Sequence, residues 1–116
     1  MEFNIQLTVS KHYEGPVKYA LDKDGMKYLY VKHTSHKDHI HFYLRNVKGK
    51  NWPSAKNNVG NKILRACRKI MAPKLGQDVI IREAKKTILQ WLKYMKHEDE
   101  STSPIVTGPV LSFHIS

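Results

Sequence analysis

The sequence predicts an α+β domain in which helices flank an antiparallel β-sheet of about five strands, and three observations predict it. Residues 3–10 alternate apolar and polar side chains, the period of a half-buried strand. Residues 28–33 and 39–44 are rich in aromatic and β-branched side chains, which suit a pleated surface packed on one face. Two later segments repeat apolar residues at helical spacing instead.

The elements follow in order. After the first strand, residues 13–23 are ambiguous: Gly15-Pro16 interrupts regular structure, while the residues behind it suit a short helix. Asp24-Gly25 is a turn before the strand at 28–33, and the polar residues 35–38 turn the chain into the strand at 39–44. Residues 47–51 read as a loop carrying Gly49. Pro53-Ser54 then starts a helix whose stripe is Val59, Ile63, Ala66 and Ile70, weakened a little by Gly60 and stopped by Pro73. Asp78 is placed to cap a second helix from Val79 to about His97, with Ile81, Ala84, Ile88, Leu92 and Met95 as its stripe. The acidic-polar residues 98–103 end it, and 104–116 supply one or two terminal strands around Gly108-Pro109. Residues 1–116 are expected to form a single domain, long enough to bury a core without staples.

Composition narrows the function. The single cysteine, Cys67, excludes an intramolecular disulfide and a cysteine-only zinc cluster, and it fits a reducing compartment. No apolar run approaches the roughly 20 residues that span a membrane, and the N-terminus lacks the layout of a signal peptide. An intracellular protein with no membrane partner is expected. The net charge is +10, and no Asp or Glu occurs between His39 and Gln77. In that interval Arg45, Lys48, Lys50, Lys56, Lys62 and Arg65 accumulate among several asparagines, with Trp52 in their midst. A single-signed basic stretch attracts polyanions, and an aromatic among amides suits base stacking and phosphate contacts. These seven residues are the candidate nucleic-acid contacts; the plainer alternative is a solvated basic helix face.

Chemistry enters at His39-Ile40-His41. Strand side chains alternate, so His39 and His41 share one face while Ile40, Phe42 and Leu44 point to the other, into a core. Two imidazoles on one face suit a divalent metal, although the same pattern also occurs on strands with no ligand. A loop with an odd number of residues, for instance three at His36-Lys37-Asp38, pairs His33 with His41 on the face of His39 and completes a three-histidine set; a two-residue loop puts His33 opposite Ile40. His36 and Asp38 are the other candidates for third ligand. On the second helix Tyr94 falls on the flank beside Glu83, Thr87 and Trp91, so that its ring packs while its hydroxyl stays accessible. An amphipathic tyrosine at a core margin has the same placement.

In this order, Ile5-Gln6-Leu7-Thr8, His39-Ile40-His41 and Tyr94-Met95-Lys96 resemble the three motifs of HUH-type replication-initiator endonucleases, over nearly the whole chain. Size and spacing look most like the nicking domains of Rep proteins from small single-stranded DNA viruses and rolling-circle replicons. Residues 80–98 are similar to the final helix of geminivirus-like Reps, and Lys32-His33 falls where those proteins often carry Lys-Glu, the Glu being a metal ligand. The resemblance implies a divalent metal, Mn²⁺ or Mg²⁺, held by His39, His41 and His33, with Tyr94 as nucleophile. It implies site-specific nicking and joining of single-stranded DNA at a replication origin, through a 5′-phosphotyrosine and a free 3′-hydroxyl that primes rolling-circle synthesis. The family lysine usually lies three or four residues after the tyrosine. Here Lys96 is two residues on, about 160° around a helix from Tyr94, and His97 takes the third position, so both are candidate auxiliary residues. Imidazole ligands suit Mn²⁺ better than Mg²⁺, which prefers oxygen. The resembled proteins continue into an oligomerisation segment and a helicase, so an N-terminal domain of a longer protein is expected, nuclear in the host if the virus is eukaryotic.

Three rival readings use the same residues. The first is a basic nucleic-acid-binding module without catalysis. The second is a structural zinc site from His33, His36, His39 and His41, whose close spacing strains tetrahedral closure. The third is a two-histidine phosphoesterase drawn from His33-Thr34-Ser35 and His114-Ile115-Ser116.

Overall fold

The computed structural model describes residues 1–32, 39–68, 70–98 and 105–107, with the backbone alone at 32, 95–98 and 105–107. Its elements are β1 (Glu2–Ser10), a 3₁₀ turn (Lys11–Tyr13), α1 (Glu14–Lys23), β2 (Lys27–Lys32), β3 (His39–Lys48), α2 (Trp52–Cys67), β4 (Val79–Glu83), α3 (Ile88–Glu98) and β5 (Ile105–Thr107). The first four strands form an antiparallel sheet in the order β4-β1-β3-β2, and Ile105–Thr107 pairs along the β2 edge. With two crossover helices this is the β-α-β-β-α-β arrangement of ferredoxin-like domains.

Alternation along the central strands divides the molecule into layers. Ile5, Leu7 and Val9 of β1 stand across from Leu44, Phe42 and Ile40 of β3, and all six are buried. Tyr28 and Tyr30 continue this face on one side, Ile81 and Val79 on the other. Both crossover helices cover it. The α1 side chains Asp22 and Lys18 hydrogen-bond the Tyr28 and Tyr30 hydroxyls at 2.8 Å each, and α2 lays Val59 and Ile63 into the core, with Gly60 directly over Ile81. On the opposite face Gln6 pairs with Tyr43, Thr8 with His41 and Ser10 with His39. There α3 packs its Trp91 ring 5.5 Å from that of Tyr43.

Local chemistry sets the boundaries. Pro16 sits in the first turn of α1, where its missing N–H has no helical acceptor to lose, so Gly15-Pro16 lies within the helix and does not break it. Gly25, with φ of 65°, ends α1: its N–H donates to the Asp22 carbonyl and that of Met26 to the Leu21 carbonyl, the paired bonds of a Schellman cap. A bulge where Phe3 pairs with Val47 but Ile5 with Leu44 puts Asn46 at φ 58°, its N–H donating to the Asn4 side chain. The expected 47–51 loop is shorter than anticipated, because β3 runs on to Lys48. Asn51 caps α2 by accepting from the Ser54 N–H at 3.0 Å. That helix ends at Cys67, well before Pro73; Cys67 is buried in the stripe, whereas Ile70 lies beyond the helix and is exposed.

The expected helix from Val79 to His97 is two elements. Val79-Ile80-Ile81 is β-branched throughout, which favours a strand, and it fills the free edge of β1, with Val9 opposite Val79 and Leu7 opposite Ile81. Asp78 caps no helix: its carboxylate accepts from the Lys74 N–H at 2.8 Å and its carbonyl from the Ser10 N–H at 2.7 Å, closing the turn into β4. The helix starts later, behind a reciprocal box in which the Thr87 hydroxyl accepts from the Gln90 N–H (3.2 Å) and the Gln90 side chain from the Thr87 N–H (3.0 Å). Among its described side chains Ile88 and Trp91 are buried and Leu92 is partly buried. Ile81 belongs to the sheet instead. No described helix is long and apolar enough to cross a membrane.

Candidate active site

β3 supplies the imidazoles as its alternation requires: Ile40 and Phe42 enter the core, His39 is exposed at the strand start, and His41 is half-buried on the face away from α1 and α2. Thr8, its partner on β1, places Oγ1 3.3 Å from His41 Nδ1. A hydroxyl beside one ring nitrogen fixes the ring's orientation and makes the two nitrogens inequivalent.

β2 corrects the expected register. Val31 stands across from His41, and Lys32 across from Ile40. Neither the three-residue loop, which required His33 at His41, nor the two-residue loop, which required it at Ile40, has the observed pairing. His33, His36 and Asp38 lie outside the described residues. Among the described residues no three His, Cys, Asp or Glu side chains gather into a metal set.

α3 brings Tyr94 to the same face. Trp91, 2 % exposed, anchors the helix against Tyr43, and Tyr94 follows three residues later on the same side of the helix. It is 50 % exposed. Tyr94, His41, Thr8 and Gln6 line one cleft of about 260 Å³ together with Arg82 and Lys86. The expected flank position for Tyr94 therefore has a different surround: Trp91 is a core residue, and Glu83 belongs to β4. Lys96 and His97 fall in the last turns of α3, where the backbone alone is described.

Two cations in the cleft were not among the expected contacts. Arg82 is carried on β4, opposite Gln6. Lys86, in the β4–α3 connection, holds Nζ 4.9 Å from the centre of the Tyr94 ring, a cation–π distance. The Lys86 carbonyl accepts a 2.6 Å hydrogen bond from the Tyr43 hydroxyl. Tyr43 is 1 % exposed, and burial pushes its phenol above the ordinary value; it is a strut in the core, not a rival nucleophile. Reading β4 as part of a helix hid Arg82 and Lys86. The capping box at Thr87 and Gln90 was the available signal for the correct break.

The expected nucleic-acid contacts divide between layers. Lys56, Lys62 and Arg65 ride on α2, across the sheet from His41 and Tyr94; Lys62 pairs with Asp24 at 2.8 Å, and Arg65 lines a groove between α1 and α2. Arg45 pairs across from Lys27, roughly 13 Å along β3 from His41. Lys48 and Lys50 are exposed near the β3–α2 connection. Trp52 is half-buried, its ring 6.1 Å from that of Phe3 at the core margin. Comparison with protein-family models finds no match, and comparison with curated proteins finds no relative.

Proposed function

We propose that this chain nicks and joins single-stranded DNA at defined sites by metal-dependent tyrosine transesterification, the reaction that starts rolling-circle replication. One observation carries the reading: an accessible tyrosine hydroxyl and an imidazole of the His-x-His strand line a single cleft with two cations, although they are 53 residues apart in sequence (94 − 41).

Tyr94 attacks the scissile phosphorus through its hydroxyl oxygen. The phenol proton is lost, the bond from phosphorus to the 3′-oxygen breaks, and that oxygen leaves as a 3′-hydroxyl after taking up a proton. The new bond is a phosphotyrosine on the 5′ side. One ester has replaced another, so a 3′-hydroxyl reseals the strand by the reverse path, without a nucleotide cofactor. Arg82 opposes the negative charge of the phosphate as it crowds in the transition state. Gln6 and Thr8 offer polar groups to the strand along β1.

His39 and His41 would hold the metal from one strand face, with Thr8 orienting His41. The donors fit in type: imidazole nitrogens accept Mn²⁺ readily and also Zn²⁺, and they suit Mg²⁺ less. When bound, such an ion polarises the phosphate oxygens as a Lewis acid. Lys96 and His97 are the candidate proton carriers for the leaving oxygen.

A pool of single-stranded DNA with randomised sequence lets the protein select its own target. The pool is incubated with the protein and Mn²⁺, and species that survive denaturation are isolated and sequenced. The proposal expects an adduct that converges on one sequence family. Absence of any adduct with Mn²⁺ and with Mg²⁺ would contradict it. A second reading, nucleic-acid binding without chemistry, draws on Lys56, Lys62 and Arg65 lying away from the cleft; it expects retention of the pool with no covalent species.

A further inference from the structure

We infer that Lys86 is the positioning residue of Tyr94, an electrostatic clamp delivered from the β4–α3 connection and not from the tyrosine's own helix; this rests on the reading of Tyr94 as nucleophile. Three observations converge. The Lys86 ammonium stands over the Tyr94 ring at 4.9 Å. Both line the cleft that holds His41. The segment carrying Lys86 is fixed at three points: the Ala84 N–H donates to the Asn4 carbonyl at 2.8 Å, the buried Tyr43 hydroxyl donates to the Lys86 carbonyl at 2.6 Å, and the Thr87–Gln90 box locks the first turn of α3.

A lysine on an unanchored loop is a solvated charge with many conformers. Here the backbone beneath it is tied to the sheet through Tyr43, a residue of the same strand as His41. The ring of Tyr94 and the imidazole of His41 are thereby referred to one rigid base, as a reaction sensitive to sub-ångström placement requires. The cation has a second effect. A positive charge over the ring is attracted more strongly as the phenol oxygen becomes negative, so the contact tightens on the way to attack and favours the transition state over the bound ground state.

The test compares wild type, Lys86→Gln, Lys86→Arg and Tyr43→Phe on a DNA strand recovered from the randomised pool, measuring the rate of adduct formation at saturating DNA and the DNA concentration for half-maximal rate. Lys86→Gln is expected to slow the saturated rate by about 10²-fold, in the range for loss of a preorganised electrostatic contact, while the half-maximal concentration moves much less. Lys86→Arg restores most of the rate, since a guanidinium also stacks on an aromatic face. Tyr43→Phe keeps the charge but loosens its base, and falls between wild type and Lys86→Gln. A wild-type rate in Lys86→Gln, or a loss confined to the half-maximal concentration, overturns the inference and leaves the nicking reading intact. No adduct in the wild type removes both.

Discussion

Thr8 Oγ1 and His41 Nδ1 lie 3.3 Å apart across the β1–β3 ladder, so the first strand touches the imidazole through a hydroxyl. Thr8→Val keeps the shape and the strand propensity while deleting that contact. Loss of such an orienting partner typically costs about 10–100-fold in metal affinity. Calorimetric titration with Mn²⁺ is expected to show a decrease of that order with an unchanged melting temperature. Equal affinity in Thr8→Val would mean that Thr8 has no part in orienting His41.

Trp91 joins the active helix to the sheet, and its removal should be costly. The side chain is 2 % exposed and packs on Tyr43, so Trp91→Ala should destabilise the domain by about 3–5 kcal/mol and release α3. Urea unfolding followed by far-ultraviolet circular dichroism measures the loss. A cost below about 1 kcal/mol would be out of line with a buried aromatic and would deny Trp91 its anchoring role.

The α2 cations are expected to act differently from those in the cleft. The Lys62–Asp24 pair is partly solvated, its side chains 40 % and 33 % exposed, so Lys62→Gln should cost no more than about 1 kcal/mol of stability. It should leave the rate of adduct formation unchanged at saturating DNA. Arg82→Gln should instead lower the slope of log K against log salt for single-stranded DNA by about 0.7, the value of one phosphate contact. A slope that responds to Lys62 and not to Arg82 would place the strand on the helical layer.

Alkaline pH should unfold the domain through its buried phenols. Burial raises the Tyr28 and Tyr43 hydroxyls above their ordinary value, and Tyr28 also donates to Asp22. Their contribution to stability is complete below the unfolded value near ~10 and is lost as pH rises through the higher folded values, because the unfolded chain ionises first. Tyr28→Phe is expected to flatten the alkaline limb of the denaturation midpoint against pH. An unaltered limb would show that other groups control it.

How much of this was legible in the sequence follows the range of each interaction. The His-x-His strand, β1 and the start of α2 were readable because strand alternation and the preference of proline for a helix's first turn are local: Ile40 and Phe42 are buried where the pattern placed them. The region after Asp78 was not, because Ile81, Ala84 and Ile88 happen to repeat at helical spacing while three β-branched residues in a row favoured a strand. The free edge of β1 decided between them, and that edge exists only in the folded sheet. The cleft itself depends on Trp91 meeting Tyr43, a contact between distant segments with no local signature. The β2–β3 register was equally hidden, since the sequence does not declare the loop length that sets Val31 opposite His41.

The most direct measurement is the identity of the residue joined to DNA. Wild type and Tyr94→Phe are incubated with the recovered strand and Mn²⁺, digested with protease and nuclease, and searched by mass spectrometry for a nucleotide-bearing peptide. A phosphodiester on Tyr94 in the wild type, and no adduct in a Tyr94→Phe protein that melts and binds DNA as the wild type does, is the predicted result. An adduct that persists in Tyr94→Phe, or that maps to Tyr19 or another tyrosine, would contradict it.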